Sequence, residues 1–288
     1  MTPELIAHDG NHTGENPLWH PFEHALYWTD IPAGKLYRFD PATGKHACVF
    51  SGEPVGGFTV QADGSLLLFM ARGQIAVWHG GALRAIHEDI PAERDTRFND
   101  VIADPVGRVF CGTMSTPTRS GRLYRLDRDG RLHELFDGVG VSNGMGFTLD
   151  RRGMYYTDSV ANEIYLFDYD IATGALSNRR MFDRVAAGAG HPDGMTVDAE
   201  GCVWSARWDG SCLVRYSQSG DVLQSISFPA RKVSSLTFGD ADYGTMYVTT
   251  ALTDGDPARE GAGAGGLFRV RGVATGLPEF LSRIDAGA

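Results

Sequence analysis

The sequence predicts an all-β fold: a six-bladed β-propeller with four-stranded antiparallel blades, formed by residues 1–288 as a single domain. Three observations lead there. One two-strand phrase returns six times, its period suits a propeller blade, and no window sustains the spacing of an amphipathic helix.

The first half of the phrase is an apolar or aromatic run after a turn: Ala25–Asp30, Gly64–Phe69, Gly107–Gly112, Gly153–Asp158, Gly201–Ala206 and Gly244–Thr249. The second half opens on Gly or Asn: Gly34–Asp40, Gly73–Trp78, Gly121–Asp127, Asn162–Asp168, Gly210–Tyr216 and Gly265–Val270. Both halves are short and rich in Val, Leu, Tyr, Phe and Trp, which suit a half-buried pleated surface. Asp9-Gly10, Asp63-Gly64, Asp129-Gly130, Asp209-Gly210 and two Ala-Thr-Gly stretches supply turns between them. The aligned positions Trp28, Leu68, Phe110, Tyr156, Trp204 and Tyr247 recur every 40 to 48 residues or so, about the length of four strands and their turns. A ring must also close. Glu4–His8 and Glu279–Ile284 are strand-like ends, either of which could complete a blade begun by the other terminus, and truncating either is expected to destabilise the ring.

Composition narrows the function. A net charge of −10 with no Lys/Arg run argues against nucleic acid and against anionic membrane surfaces. No stretch is long and apolar enough to span a bilayer, and the first residues lack a basic segment followed by an apolar one, so a soluble cytoplasmic protein is expected, as a monomer or weak homo-oligomer. Cys48, Cys111, Cys202 and Cys212 show no Cys-x-x-Cys spacing and read as structural buried thiols.

Aligning the blades brings polar residues together. The segments that enter each blade are Gly14–Trp19, Val55–Phe58, Arg97–Val101, Ser142–Met145, His191–Met195 and Val233–Leu236. In a propeller these lead into the strands lining the channel, so their equivalent positions ring one mouth. Glu15, Asn99 and Asp193 each lie five residues before one landmark of the repeat (His20, Asp104 and Asp198), and Asn143 lies seven before Asp150. Two carboxylates and an amide oxygen, Glu15, Asp193 and Asn143, would repel one another without a cation, and oxygen donors suit a hard divalent ion. Three protein ligands leave positions open for a water or a substrate oxygen. The competing reading makes Asn143-Gly144 and Asp193-Gly194 ordinary turns; their shared place in the repeat favours a site.

The phrases Gly14-Glu15-Asn16-Pro17-Leu18-Trp19, Arg97-Phe98-Asn99-Asp100, Gly112-Thr113-Met114, Ser142-Asn143-Gly144 and Pro192-Asp193-Gly194-Met195, in this order and spacing, resemble the SMP-30/gluconolactonase/luciferin-regenerating-enzyme family of regucalcin and sugar lactonases. The likeness runs over essentially the whole chain. It implies one divalent cation on Glu15, Asn143 and Asp193, calcium by preference, with zinc, manganese, magnesium or iron(II) as alternatives. It implies substrate contacts from Arg97 and Asn99, and a hydrolase that opens a sugar lactone, an aldonolactone or an acid-sugar lactone, with Asp193 as the candidate base. The stretch Ser115–Ser120 departs from the animal members, which carry a substrate-touching glutamate there. Arg119 stands in it instead, and with His191 is a further candidate contact; Arg207-Trp208 also departs from the commoner phrases. The rival readings are a calcium-dependent phosphotriesterase or aryl-esterase, and a metal-binding propeller without catalysis.

Overall fold

The structure, a computed structural model describing residues 2–285, is a ring of six four-stranded antiparallel sheets. Their innermost strands are Gly14–His20, Val55–Val60, Phe98–Ala103, Ser142–Phe147, His191–Val197 and Lys232–Gly239, and each packs against those of the blades before and after it, the last against the first. All six aligned positions, Trp28 to Tyr247, are buried between sheets, where their side chains fill the space between twisted blades. Helix is confined among the described residues to one turn at Pro257–Glu260 and a 3-10 turn at Pro91–Glu93.

Closure uses one terminus. Glu4–His8 pairs with Gly266–Arg271 as the outermost strand of the last blade, and Arg269 grips Glu4 across that seam. The C-terminal segment behaves differently from expectation: Glu279–Ile284 joins no blade. Once the N-terminal strand has taken the free edge, the tail instead crosses the far end of the channel. Ser282 exchanges backbone hydrogen bonds with Val60 and Ala62, Arg283 donates to Gly107, and Glu279 accepts from Thr196 Oγ1 at 3.0 Å. Of the four cysteines, all free thiols, Cys111 and Cys202 are buried as expected, whereas Cys212 is half-buried and Cys48 exposed.

One irregularity repeats in all six blades. The register between the innermost strand and its neighbour slips between Glu15 and Leu18, Val55 and Gly57, Phe98 and Val101, Asn143 and Met145, Pro192 and Met195, and Val233 and Ser235. A bulge bends a strand and re-aims the side chain beside it. The bulges of blades one, three, four and five therefore turn Glu15, Asn99, Asn143 and Asp193 toward the same mouth. Asn143-Gly144 and Asp193-Gly194 accordingly lie within strands, not turns. Gly144 is there for close approach: a Cβ on it would meet the Asp193 carbonyl oxygen and the Met195 nitrogen at 2.6 Å each.

Candidate functional site

Glu15, Arg97, Asn99, Asn143, Asp193 and His191 all line one cavity of about 440 Å³ at the bulged mouth, together with Ser159, Trp208 and Thr253. Blades one, three, four and five supply the polar residues. At the same height blade two offers Gly56 and Gly57, and blade six Ser234 and Ser235. The residue after Glu15, Asn16, adopts φ 46° and its Oδ1 accepts from Phe58 N, so the first blade is tied to the second just where Glu15 leaves the strand.

Hydrogen bonding fixes most of these groups. Asn143 donates Nδ2 to Asp193 Oδ1 and to Ser159 Oγ, and Ser159 Oγ donates to the Pro192 carbonyl at 2.6 Å. Asn99 Nδ2 donates to the Ser142 carbonyl at 2.8 Å, while Asn99 Oδ1 accepts from Arg97 Nη1 at 2.6 Å. Arg97 Nη1 also reaches the Phe98 carbonyl, so Nε and Nη2 are left for a ligand. His191 sits exposed at the rim with Nδ1 2.7 Å from Asn162 Oδ1.

The electrostatics of this cluster are unresolved by the protein itself. Burial, then the charge of Asp100, pushes the Glu15 carboxyl up to about 8 against the pull of Arg97. Burial, then the charge of Glu15, pushes Asp193 well above the carboxylate range. Desolvation also brings Arg97 down to about 10, opposed by Glu15 and Asp193. Asn143 Oδ1 is buried and has no hydrogen-bond partner. An orphaned amide oxygen and two carboxylates on one cavity wall are all hard oxygen donors, the type that would suit a hard divalent cation. Among the described residues no group of three or more His, Cys, Asp and Glu gathers as a ligand set, so a third donor beside Glu15 and Asp193 would have to be of another kind, such as the Asn143 amide.

Arg119 stands apart. Its guanidinium bonds Glu93 at 3.0 Å and Asp95 at 2.8 Å, and it is absent from the cavity wall. Fully buried Glu93 also takes Arg122 and the Tyr124 hydroxyl, a cluster that anchors the segment leading to Arg97. Spacing along the chain could not reveal a partnership formed across 24 to 26 residues.

Two further acids lie beneath the site. Asp100 and Glu279 face a narrow stretch of channel of about 40 Å³, which gives each some accessible surface although protein surrounds it. Burial raises both carboxyls, Asp100 to about 7. Sequence reasoning passed over them. Asp100 follows Asn99 directly, and that adjacency was the available signal; Glu279 belongs to the tail, whose path the repeat does not encode. A second cavity of about 410 Å³ opens at the opposite mouth between the tail and blades three to five, but Glu279 is the only carboxylate on its largely apolar wall. Among the described residues, the carboxylates, amides and guanidinium that share one cavity wall are those at the bulged mouth.

Comparison with known proteins agrees with this fold. The chain is 46% identical to the pentonolactonase XacC of Haloferax volcanii, with all of both chains covered. It is 32% identical to regucalcin of Bos taurus over 96% of this chain and 97% of that one. A solved luciferin-regenerating enzyme superposes with a TM-score of 0.90 at 26% identity, covering 98% of this chain and 99% of the other. Residues 13–252 match the SMP-30/Gluconolactonase/LRE-like region, and the chain belongs to that family.

Proposed function

We propose that this protein is a sugar lactonase that opens a neutral aldonolactone, of the pentonolactone class, to the free sugar acid with the help of one divalent cation. The observation that carries the reading is the orphaned Asn143 Oδ1 between two acids, Glu15 and Asp193, whose ionisation the protein disfavours. Full-length similarity to a pentonolactonase supports the substrate class.

Glu15, Asn143 and Asp193 would hold the ion, with calcium the first choice for an all-oxygen set. When bound, such an ion supplies Lewis acidity toward a carbonyl oxygen and the positive charge that keeps both carboxylates ionised. The chain's own residues do the rest. Arg97 presents Nε and Nη2 to lactone hydroxyls, and Asn99, held between Arg97 and the Ser142 carbonyl, fixes the plane of that guanidinium. Asp193 Oδ1 is occupied by Asn143 Nδ2, which leaves Oδ2 to take a proton from the attacking water. The water oxygen bonds to the lactone carbon, the ring C–O bond breaks, and the departing alkoxide takes the proton that Asp193 received from the water, giving the hydroxy acid and restoring the carboxylate.

Charge sets the substrate preference. Arg97 is the only Lys or Arg on the cavity wall, and it already faces Glu15 and Asp193, whereas Arg119 is bound to Glu93 and Asp95. A lactone carrying a carboxylate would find no second Lys or Arg on the wall beyond the Arg97 that the hydroxyls use. The test is a panel of pentono-, glucono- and glucarolactones plus a phosphotriester, assayed with and without chelator. Chelator-sensitive opening of the neutral lactones is expected; phosphotriester cleavage, preference for glucarolactone, or indifference to chelator would each contradict the reading.

A further inference from the structure

The cavity wall carries one large aromatic side chain that the charge argument leaves unused. Trp208 ends the strand Val203–Trp208, opposite His191 on the innermost strand of the fifth blade. Its indole is half-buried, and its Nε1–H has no protein acceptor among the described residues. Two tryptophans of the core differ: Trp28 donates Nε1–H to Asn11 and Trp204 donates to Asp198. An indole with a polar end usually finds a partner for it, and here the ring borders the space where a ligand would sit.

The ring is also braced. Lys232 Nζ lies 5.5 Å from its centroid. That ammonium is held by both oxygens of buried Glu260, at 2.8 and 2.9 Å, and by Asp209 at 2.9 Å. Glu260 sits on the one-turn helix Pro257–Glu260 of the sixth blade, and its carbonyl accepts from Arg231 N at 2.7 Å. Two blades thus cooperate to hold one rim side chain, a large investment for a residue without a ligand.

We infer that Trp208 is a specificity-determining residue: its ring is the platform for the C–H face of the sugar lactone, and Nε1–H donates to one of its hydroxyls. The inference rests on the lactonase reading for its ligand. A lactone of a sugar is amphipathic in the required sense, with hydroxyls for Arg97 and an apolar carbon face for an aromatic ring. Trp208 touches no group that changes charge in the reaction, so its contribution is equal in ground and transition states.

The experiment compares Trp208→Phe and Trp208→Leu with the wild type on xylono-1,4-lactone, and measures binding of the open product, xylonate, by calorimetry. Trp208→Leu is expected to raise KM and the xylonate Kd about three- to tenfold with kcat within about twofold, the loss associated with an aromatic contact. Trp208→Phe keeps a ring but loses the Nε1–H donor, and is expected to recover part of that loss. Equal affinities for the Leu and Phe variants, or a fall in kcat at constant KM, would overturn the inference while leaving lactone hydrolysis standing. Absence of hydrolysis in the wild type together with ring-dependent xylonate binding would instead overturn the lactonase reading and leave Trp208 as a sugar-acid contact. Melting temperatures of both variants separate binding effects from misfolding.

Discussion

Asp193 lies near the start of one innermost strand and Asp198 just past its end, five residues on, with 4% and 0% of their surface exposed. Their surroundings differ. Asp198 accepts from the backbone of Glu200 and Cys202, from Trp204 Nε1 and from Arg215 at 2.6 Å. Asp104, its counterpart two blades away, is similarly served by Val106 N, Arg108 N, Arg108 Nε and the Tyr169 hydroxyl. At the bulged mouth Asp193 receives one neutral donor, Asn143, and Glu15 only the backbone of Asn16. Burial therefore does not distinguish a structural acid from a functional one; completeness of hydrogen bonding does. The lower acids are finished by the fold. The upper ones are left incomplete by it.

Exchanging the two acids in turn breaks the comparison most directly. Asp193→Ala is expected to lower lactone hydrolysis by on the order of 10²–10⁴, the scale of a lost acid–base group. Its melting temperature should stay level or rise, because an acid whose ionisation is opposed by burial and by Glu15 has gone. Asp198→Ala leaves Arg215 without its inner partner, and should cost about 3–5 kcal/mol of stability with little change in kcat of the protein that remains folded. Denaturant melts alongside assays check both. Comparable destabilisation by the two substitutions would show that the contrast in hydrogen bonding carries no functional meaning.

The ring was legible because a single period governs it: Trp28, Phe110 and Trp204 fall at equivalent buried places, and burying a repeated aromatic is what holds neighbouring blades together. Glu15, Asn143 and Asp193 could be lined up for the same reason, and the cavity does gather them. What the residues could not disclose is local geometry. Asn143-Gly144 has turn chemistry, and only the paired strands show a bulge with glycine at a crowded crossing. The tail offered a strand-like pattern, yet whether it pairs depends on which terminus reaches the open edge first in space. Arg119 was legible as a cation near the site but not as the partner of Glu93, since that contact is set by the packing of one segment on another.

The bulge itself can be probed at two glycines of one strand. A Cβ at Gly144 would meet backbone atoms of Asp193 and Met195 at 2.6 Å, which cannot yield without moving the strand that carries Asp193. Gly146, two residues on, would meet a Val197 methyl at 2.9 Å. Gly144→Ala is expected to cost about 1–3 kcal/mol, the usual range for overpacking, and to weaken cation binding and hydrolysis together. Gly146→Ala should be the milder change and should leave hydrolysis near the wild-type rate. Calorimetric cation titration and thermal melts measure the two effects separately.

The smallest expected effect concerns protons, and it returns to the incomplete acids. Glu15 titrates at about 8 in the folded chain, against an ordinary value of 4.5. Below that ordinary value the carboxyl is protonated in folded and unfolded chains alike, and ionisation favours neither. As pH rises toward 8 the unfolded chain gives up the proton while the folded one keeps it, so folding is progressively disfavoured. Asp193 shifts in the same direction. Chelator-treated protein should therefore melt several degrees lower at pH 8 than at pH 5 or 6, whereas protein reloaded with calcium should lose less, since a cation that needs both carboxylates ionised binds more tightly as pH rises. Asp193→Asn should flatten the chelated curve, because it removes one acid and relieves the other. Parallel melting curves with and without calcium, unchanged by that substitution, would mean that the acids at the bulged mouth are as settled as Asp198.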